Sequence, residues 1–122
     1  MKVEHTVFGD IYEENFRRIS KYTVDKVNAN KFRDPSKWFD LRDLLLYHPD
    51  PIVRHEASFV IGELGNTGLE PYLMTVIKFD NSIVAKHEAA EALGRMQGRD
   101  AYYAYKFLLK VYDNIKNYDD GV

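Results

Sequence analysis

Ile52-Val53-Arg54-His55-Glu56-Ala57-Ser58-Phe59-Val60-Ile61-Gly62 aligns without gaps, 32 residues on, with Val84-Ala85-Lys86-His87-Glu88-Ala89-Ala90-Glu91-Ala92-Leu93-Gly94. Each stretch is helical in character. Val53, Ala57, Val60, Ile61 and Leu64 fall at the spacing of one core-facing stripe, and Ala85, Ala89, Ala92, Leu93 and Met96 repeat it. Each copy is followed by a second helical segment. A two-helix unit buries only one face and must stack on copies of itself, so the repeat predicts an all-α fold, a short α-solenoid.

The punctuation on either side of the repeat sets the number of elements. Asp34-Pro35 and Asp50-Pro51 each place a capping oxygen before a proline at the first helical position, where a missing N–H costs nothing. Pro49 stops the helix begun at Pro35, and Gly65 is a natural C-terminal cap. With Asp10 and Glu13 as a capping box, a first helix is expected over 10–28, with Tyr12, Phe16, Ile19, Thr23 and Val27 inward, followed by a polar loop over 28–33. Helices over 35–48, 51–64, 69–79, 82–97 and 100–117 complete about six, in about three antiparallel pairs. The chain reads as one domain over 1–122: a divergent first pair at 10–48, then units at 50–80 and 82–117. No convincing strand is expected.

Composition fits this and removes several classes of function. The 122 residues are 45% apolar, 30% charged and 14% aromatic, a balance that folds. A formal net charge of −2 offers no basic field for a phosphate backbone, so nucleic acid is not an expected partner. There is no cysteine, so a metal must be held by nitrogen and oxygen. No apolar run approaches the roughly 18 residues of a spanning helix, and Met1–His5 open no signal-like segment. The expectation is a soluble, cytoplasmic protein with no membrane partner. The sequence also lacks a Gly-x-Ser-x-Gly elbow and a phosphate-cradling glycine loop.

The pattern of a β-branched pair, a basic residue, two variable positions and Ala-Ala-x-Ala-Leu-Gly resembles HEAT-like repeats, including the phycobilin lyase type, over roughly residues 35–110. Both variable positions here are His-Glu: His55-Glu56 and His87-Glu88. Four His and eight Glu in 122 residues put that dipeptide at a given position about 0.2% of the time, so chance does not explain two matched copies. Duplication is the competing cause, yet neighbouring residues have diverged, as Phe59 against Glu91 and Val60 against Ala92, so an idle pair had room to diverge too. The arrangement resembles one half of deoxyhypusine hydroxylase, a HEAT-repeat di-iron monooxygenase family with two His-Glu pairs in each half.

That resemblance implies an iron centre, di-iron across a homodimer, with His55 and His87 as ligands and Glu56 as the expected carboxylate ligand. It leaves Glu88 as a ligand or as a contact for a cationic substrate amine. On the residues alone, two imidazoles and a carboxylate suit iron or zinc, and equally suit a solvated helix surface that binds no metal. Glu91 is a further ligand, an orienting partner or an ordinary i, i+4 neighbour of His87. On a helical wheel both histidines point away from the core, with Gly62 and Gly94 on their side, which predicts a groove where a ligand or another backbone approaches. His48, before Pro49, is expected to cap a helix C-terminus with partial positive charge. The aromatic segment around Tyr103 and Phe107 offers a second apolar face for self-association. The alternative to the metal reading is a metal-free scaffold that binds another protein.

Overall fold

The computed structural model describes residues 3–6, 9–96 and 110. Their order is a hairpin, β1 (Val3–Thr6) and β2 (Gly9–Tyr12), followed by α1 (Glu13–Ser20), α2 (Ala29–Phe32), α3 (Trp38–Tyr47), α4 (Pro51–Leu64), α5 (Glu70–Phe79) and α6 (Ile83–Arg95). Single 3-10 turns at 24–26, 35–37 and 67–69 join them. Helix α3 packs on α4, α5 packs on α6, and α4 lies along α6 with the most extensive contact in the molecule. This is the α-solenoid, with α4 and α6 forming one layer and α3 and α5 the other. The hairpins that pack together, α3–α4 and α5–α6, each begin one helix before the His-Glu helix.

The local signals work as their chemistry dictates. Asp50 accepts from the Ile52 N–H at 2.9 Å, Asp34 from Ser36 at 3.0 Å, and Ser82 from Ala85 at 3.2 Å. Gly65 closes α4 at φ +66°, a left-handed conformation that glycine adopts without strain. Between the layers Leu41, Leu44, Leu45, Val53, Ala57, Val60, Ile61, Leu73, Val76, Ile77, Ala89 and Leu93 are all buried.

The N-terminal third departs from expectation. Asp10 pairs with His5 in an antiparallel ladder rather than capping a helix, and the helix over 10–28 is broken into α1, a turn and α2. Tyr12, expected inward, is exposed, as is Thr23; Ile19 and Val27 are buried as expected. The Tyr22 carbonyl, which would accept a bond from the next turn of a continuing helix, is 2.9 Å from His48 Nε2 instead. The expected loop over 28–33 contains α2, whose Phe32 is fully buried. Helix α1 packs on α3, where Arg18 bridges Asp40 at 2.9 Å and Asp43 at 2.8 Å, and α2 packs on α4. The segment thus stands where a preceding repeat would stack. Apart from Lys110, which is helical, the expected last helix and its aromatic face lie outside the described residues.

His48 is the C-cap residue of α3, as expected, but its ring does not carry the expected positive charge. It is buried, and its Nδ1 accepts from the Asp50 N–H at 3.0 Å, so the ring is neutral and Nε2 carries the proton given to Tyr22. Burial is the main force holding its pKa below the ordinary histidine value, and Arg54 adds to it against the bonds to Tyr22 and Asp50. Because the unfolded chain takes up a proton first, stability present above about pH 6.5 falls as the pH drops through and below that value. The slope for one proton is at most about 1.4 kcal/mol per pH unit. Urea unfolding of the wild type and of His48→Gln, from neutral pH to about pH 5, checks this; the variant should show the flatter profile.

Candidate metal centre

The repeat places equivalent residues of α4 and α6 side by side because the helices are parallel copies in one layer. His55 on α4 reaches across to α6, where its Nε2 lies 3.5 Å from Glu88 Oε2. Its Nδ1 lies 3.7 Å from Glu56 Oε1. On α6 the His87 Nε2 lies 3.3 Å from Glu91 Oε1, one turn on. Ligand atoms of His87, Glu88 and Glu91 all fall within 4.8 Å of one another, close enough to converge on one cation. The chain of contacts runs Glu56, His55, Glu88, then His87 and Glu91.

Glu88 is the centre of this arrangement. Its side chain is 7% exposed, whereas those of Glu56 and Glu91 are 31% and 46% exposed. Burial pushes its pKa above the ordinary carboxylate range, opposed by His55 and by the Arg95 guanidinium, 3.3 Å from its other oxygen. A carboxylate desolvated to this degree and still undercompensated is a favourable place for a cation. Arg95 also lies over the Phe59 ring at 5.2 Å, which holds it in place. The convergent group is one imidazole with a buried and an exposed carboxylate, and His55 stands 3.5 Å from the buried one, a nitrogen and oxygen set suited to iron(II) or zinc.

Of the four sequence-predicted residues, His87 and Glu88 fall in the convergent group with Glu91, whereas His55 reaches Glu88 from outside it and Glu56 reaches His55. Glu88 stands between the two histidines, while Glu56 turns toward α2 and meets only His55 on this side. Glu91 is a full member of the convergent group. Gly62 does admit a close backbone, and that backbone belongs to α6: a Cβ at Gly62 would lie 3.0 Å from Ala92 Cα and 2.9 Å from Ala92 Cβ. Gly94 is exposed. The sequence reading missed Arg54 altogether. Taken there only as the basic member of the repeat pattern, Arg54 is buried and grips Asp80 with both ends of its guanidinium, at 2.9 and 3.1 Å. It also donates to the His48 carbonyl at 2.7 Å, tying the turn before α4 to the turn before α6. The signal was Asp80 beside the Ser82 cap, whose N–H it also accepts at 2.8 Å.

A family model for HEAT repeats matches residues 40–115. Over 68 residues the chain is 34% identical to deoxyhypusine hydroxylase of Eremothecium gossypii, covering 55% of this chain and 21% of that protein. It is 37% identical over 51 residues to deoxyhypusine hydroxylase of Debaryomyces hansenii, and 39% identical over 51 residues to deoxyhypusine hydroxylase-B of Oryza sativa subsp. japonica. These cover 41% of this chain and 16% and 17% of those proteins. The chain spans about a fifth of the length of the curated relatives it matches. No solved structure gives a significant match. Among the described residues no helix is long and apolar enough to cross a membrane.

Proposed function

We propose that this chain, which belongs to the HEAT-repeat family, is a metal-binding protein that holds iron on the paired His-Glu turns of α4 and α6, in a hydroxylase-like, oxygen-activating role in the cytoplasm. The observation that carries this is the position of Glu88, buried within 3.5 Å of His55 and grouped with His87 and Glu91. His55 and His87 supply the imidazoles, Glu88 the central carboxylate, and Glu91 a second one from the solvent side. Bound iron would supply redox chemistry and activation of oxygen at its open positions. The protein's own contribution is orientation: Arg95 fixes the Glu88 carboxylate, and the Nε2 of His55 faces it at 3.5 Å. Partial similarity to proteins named deoxyhypusine hydroxylase favours iron over zinc.

A chain with two His-Glu motifs supplies one such site. A di-iron centre then needs a second copy, with the two histidine faces opposed in an isologous contact. Each face is rich in carboxylates, Glu56, Glu88 and Glu91 against Arg95, so two bare faces repel and metal is what draws them together.

Two measurements test the reading. Untagged protein loaded anaerobically with iron(II) should retain metal after desalting, and the His55→Ala, His87→Ala double variant should retain none. Equal metal content in the two would overturn the site. Light scattering should show iron-dependent dimerisation that His87→Ala abolishes; a strict monomer with iron bound would leave a mononuclear site. Absence of metal from the wild type would favour the metal-free scaffold.

A further inference from the structure

A second recess lies on the other flank of α4, a cavity of about 300 Å³ between that helix and the segment carrying α2. Val27 and Val60, both buried, and the ring of Phe59 give it an apolar floor. Its rim carries opposite charges on opposite walls, Glu63 on α4 and Arg33 just after α2. These two stand more than 4.0 Å apart, and among the described residues neither side chain makes an ion pair or a hydrogen bond. Elsewhere on this surface cations find carboxylates readily, as Arg17 does Glu13 and Arg18 does Asp40. Here a cation and an anion face one cavity without neutralising each other, and an apolar floor lies between them.

We propose that this cavity is a binding site for a small zwitterion of amino-acid to dipeptide size. Its ammonium group lies on Glu63, its carboxylate on Arg33 with the Asn30 amide beside it, and its hydrocarbon body on Val27, Phe59 and Val60. The volume is at the small end of ligand cavities, which excludes a cofactor-sized molecule. A guanidinium binds a carboxylate through paired N–H donors, and a glutamate accepts from an ammonium, so each end of the ligand meets the group suited to it. The site does not depend on metal at the histidines, although Glu56 and Phe59 belong to both places.

The probe is a series of ω-amino acids, from ω-aminobutyrate to ω-aminooctanoate, titrated into isotope-labelled full chain and followed by backbone amide shifts. Saturable shifts at Arg33, Phe59 and Glu63 are expected, strongest at the chain length that spans the two charges. The methyl ester, which lacks the anion, and the N-acetyl form, which lacks the cation, should each bind about tenfold more weakly or worse. Arg33→Gln should weaken the zwitterion but not the ester, and Glu63→Gln should weaken it but not the N-acetyl form. Both residues are exposed, so the variants keep the fold and their spectra verify it. The His55→Ala, His87→Ala variant should bind as the wild type does, which separates this site from the metal centre. No saturable shift with any member of the series would overturn the proposal. So would equal affinity for zwitterion, ester and N-acetyl forms, or unchanged affinity in both single variants.

Discussion

Replacing Arg54 with methionine will destabilise the fold by about 3–5 kcal/mol, a large part of the 5–15 kcal/mol that holds a domain of this kind together. The side chain is 11% exposed and its partner Asp80 is 1% exposed, so the variant leaves a carboxylate buried with no cation and the His48 carbonyl with no donor. Methionine restores most of the lost volume, so the loss measures the ionic contact rather than a cavity. The double variant Arg54→Met, Asp80→Leu should recover much of the deficit, because removing both charges leaves neither stranded. It will not recover all, since Asp80 also holds the N–H of Ser82 at the start of α6, a capping contact worth about 1 kcal/mol. Denaturant unfolding of the three proteins checks this. An Arg54→Met midpoint close to wild type would mean that water reaches Asp80 and that the link between the two turns is dispensable.

Gly62→Val will cost about 1–3 kcal/mol and, on the proposed metal reading, will abolish metal retention as well. The first added carbon meets Arg95 Nη2 at 2.8 Å and Ala92 at 2.9 Å, and only the arginine can swing aside. The rest of the clash is with the backbone of α6, so the helices must part. Their separation sets the distance from His55 to Glu88, and a shift of less than 1 Å spoils convergence on a cation whose bonds are about 2.0–2.2 Å long. Gly62→Ala is the informative control. It carries the same first-carbon clash without the two further methyls and gains about 1 kcal/mol of helix propensity, so it should lose less stability than the valine variant while metal retention still falls. Unchanged stability and unchanged metal content in Gly62→Val would show that α4 and α6 are free to separate at this point.

Much of this architecture is local and was therefore legible in the chain. The Asp-Pro caps, the left-handed Gly65 and the apolar stripe of α4 each depend on residues within a few turns of one another, and the 32-residue period is visible by direct comparison of the chain with itself. The His-Glu pairs were legible too, because repetition at a fixed register marks a position whatever its neighbours do. What the sequence could not decide is which side chains meet between helices. Arg54 and Lys86 occupy the same register, yet of the two only Arg54 is locked to an aspartate among the described residues, because that contact depends on where the next turn lies in space. Glu56 and Glu88 are likewise equivalent by sequence. Stacking places Glu88 beneath His55 of the preceding unit, while Glu56, in the first unit to carry the motif, faces a broken helix and a cavity instead. Where the expected helix is interrupted, the Tyr22 carbonyl meets His48 from 26 residues away. A chain specifies its own turns and faces through neighbours along the backbone. The separation of α4 and α6, and hence which carboxylate stands between the two histidines, is set by the packing of one unit on the next.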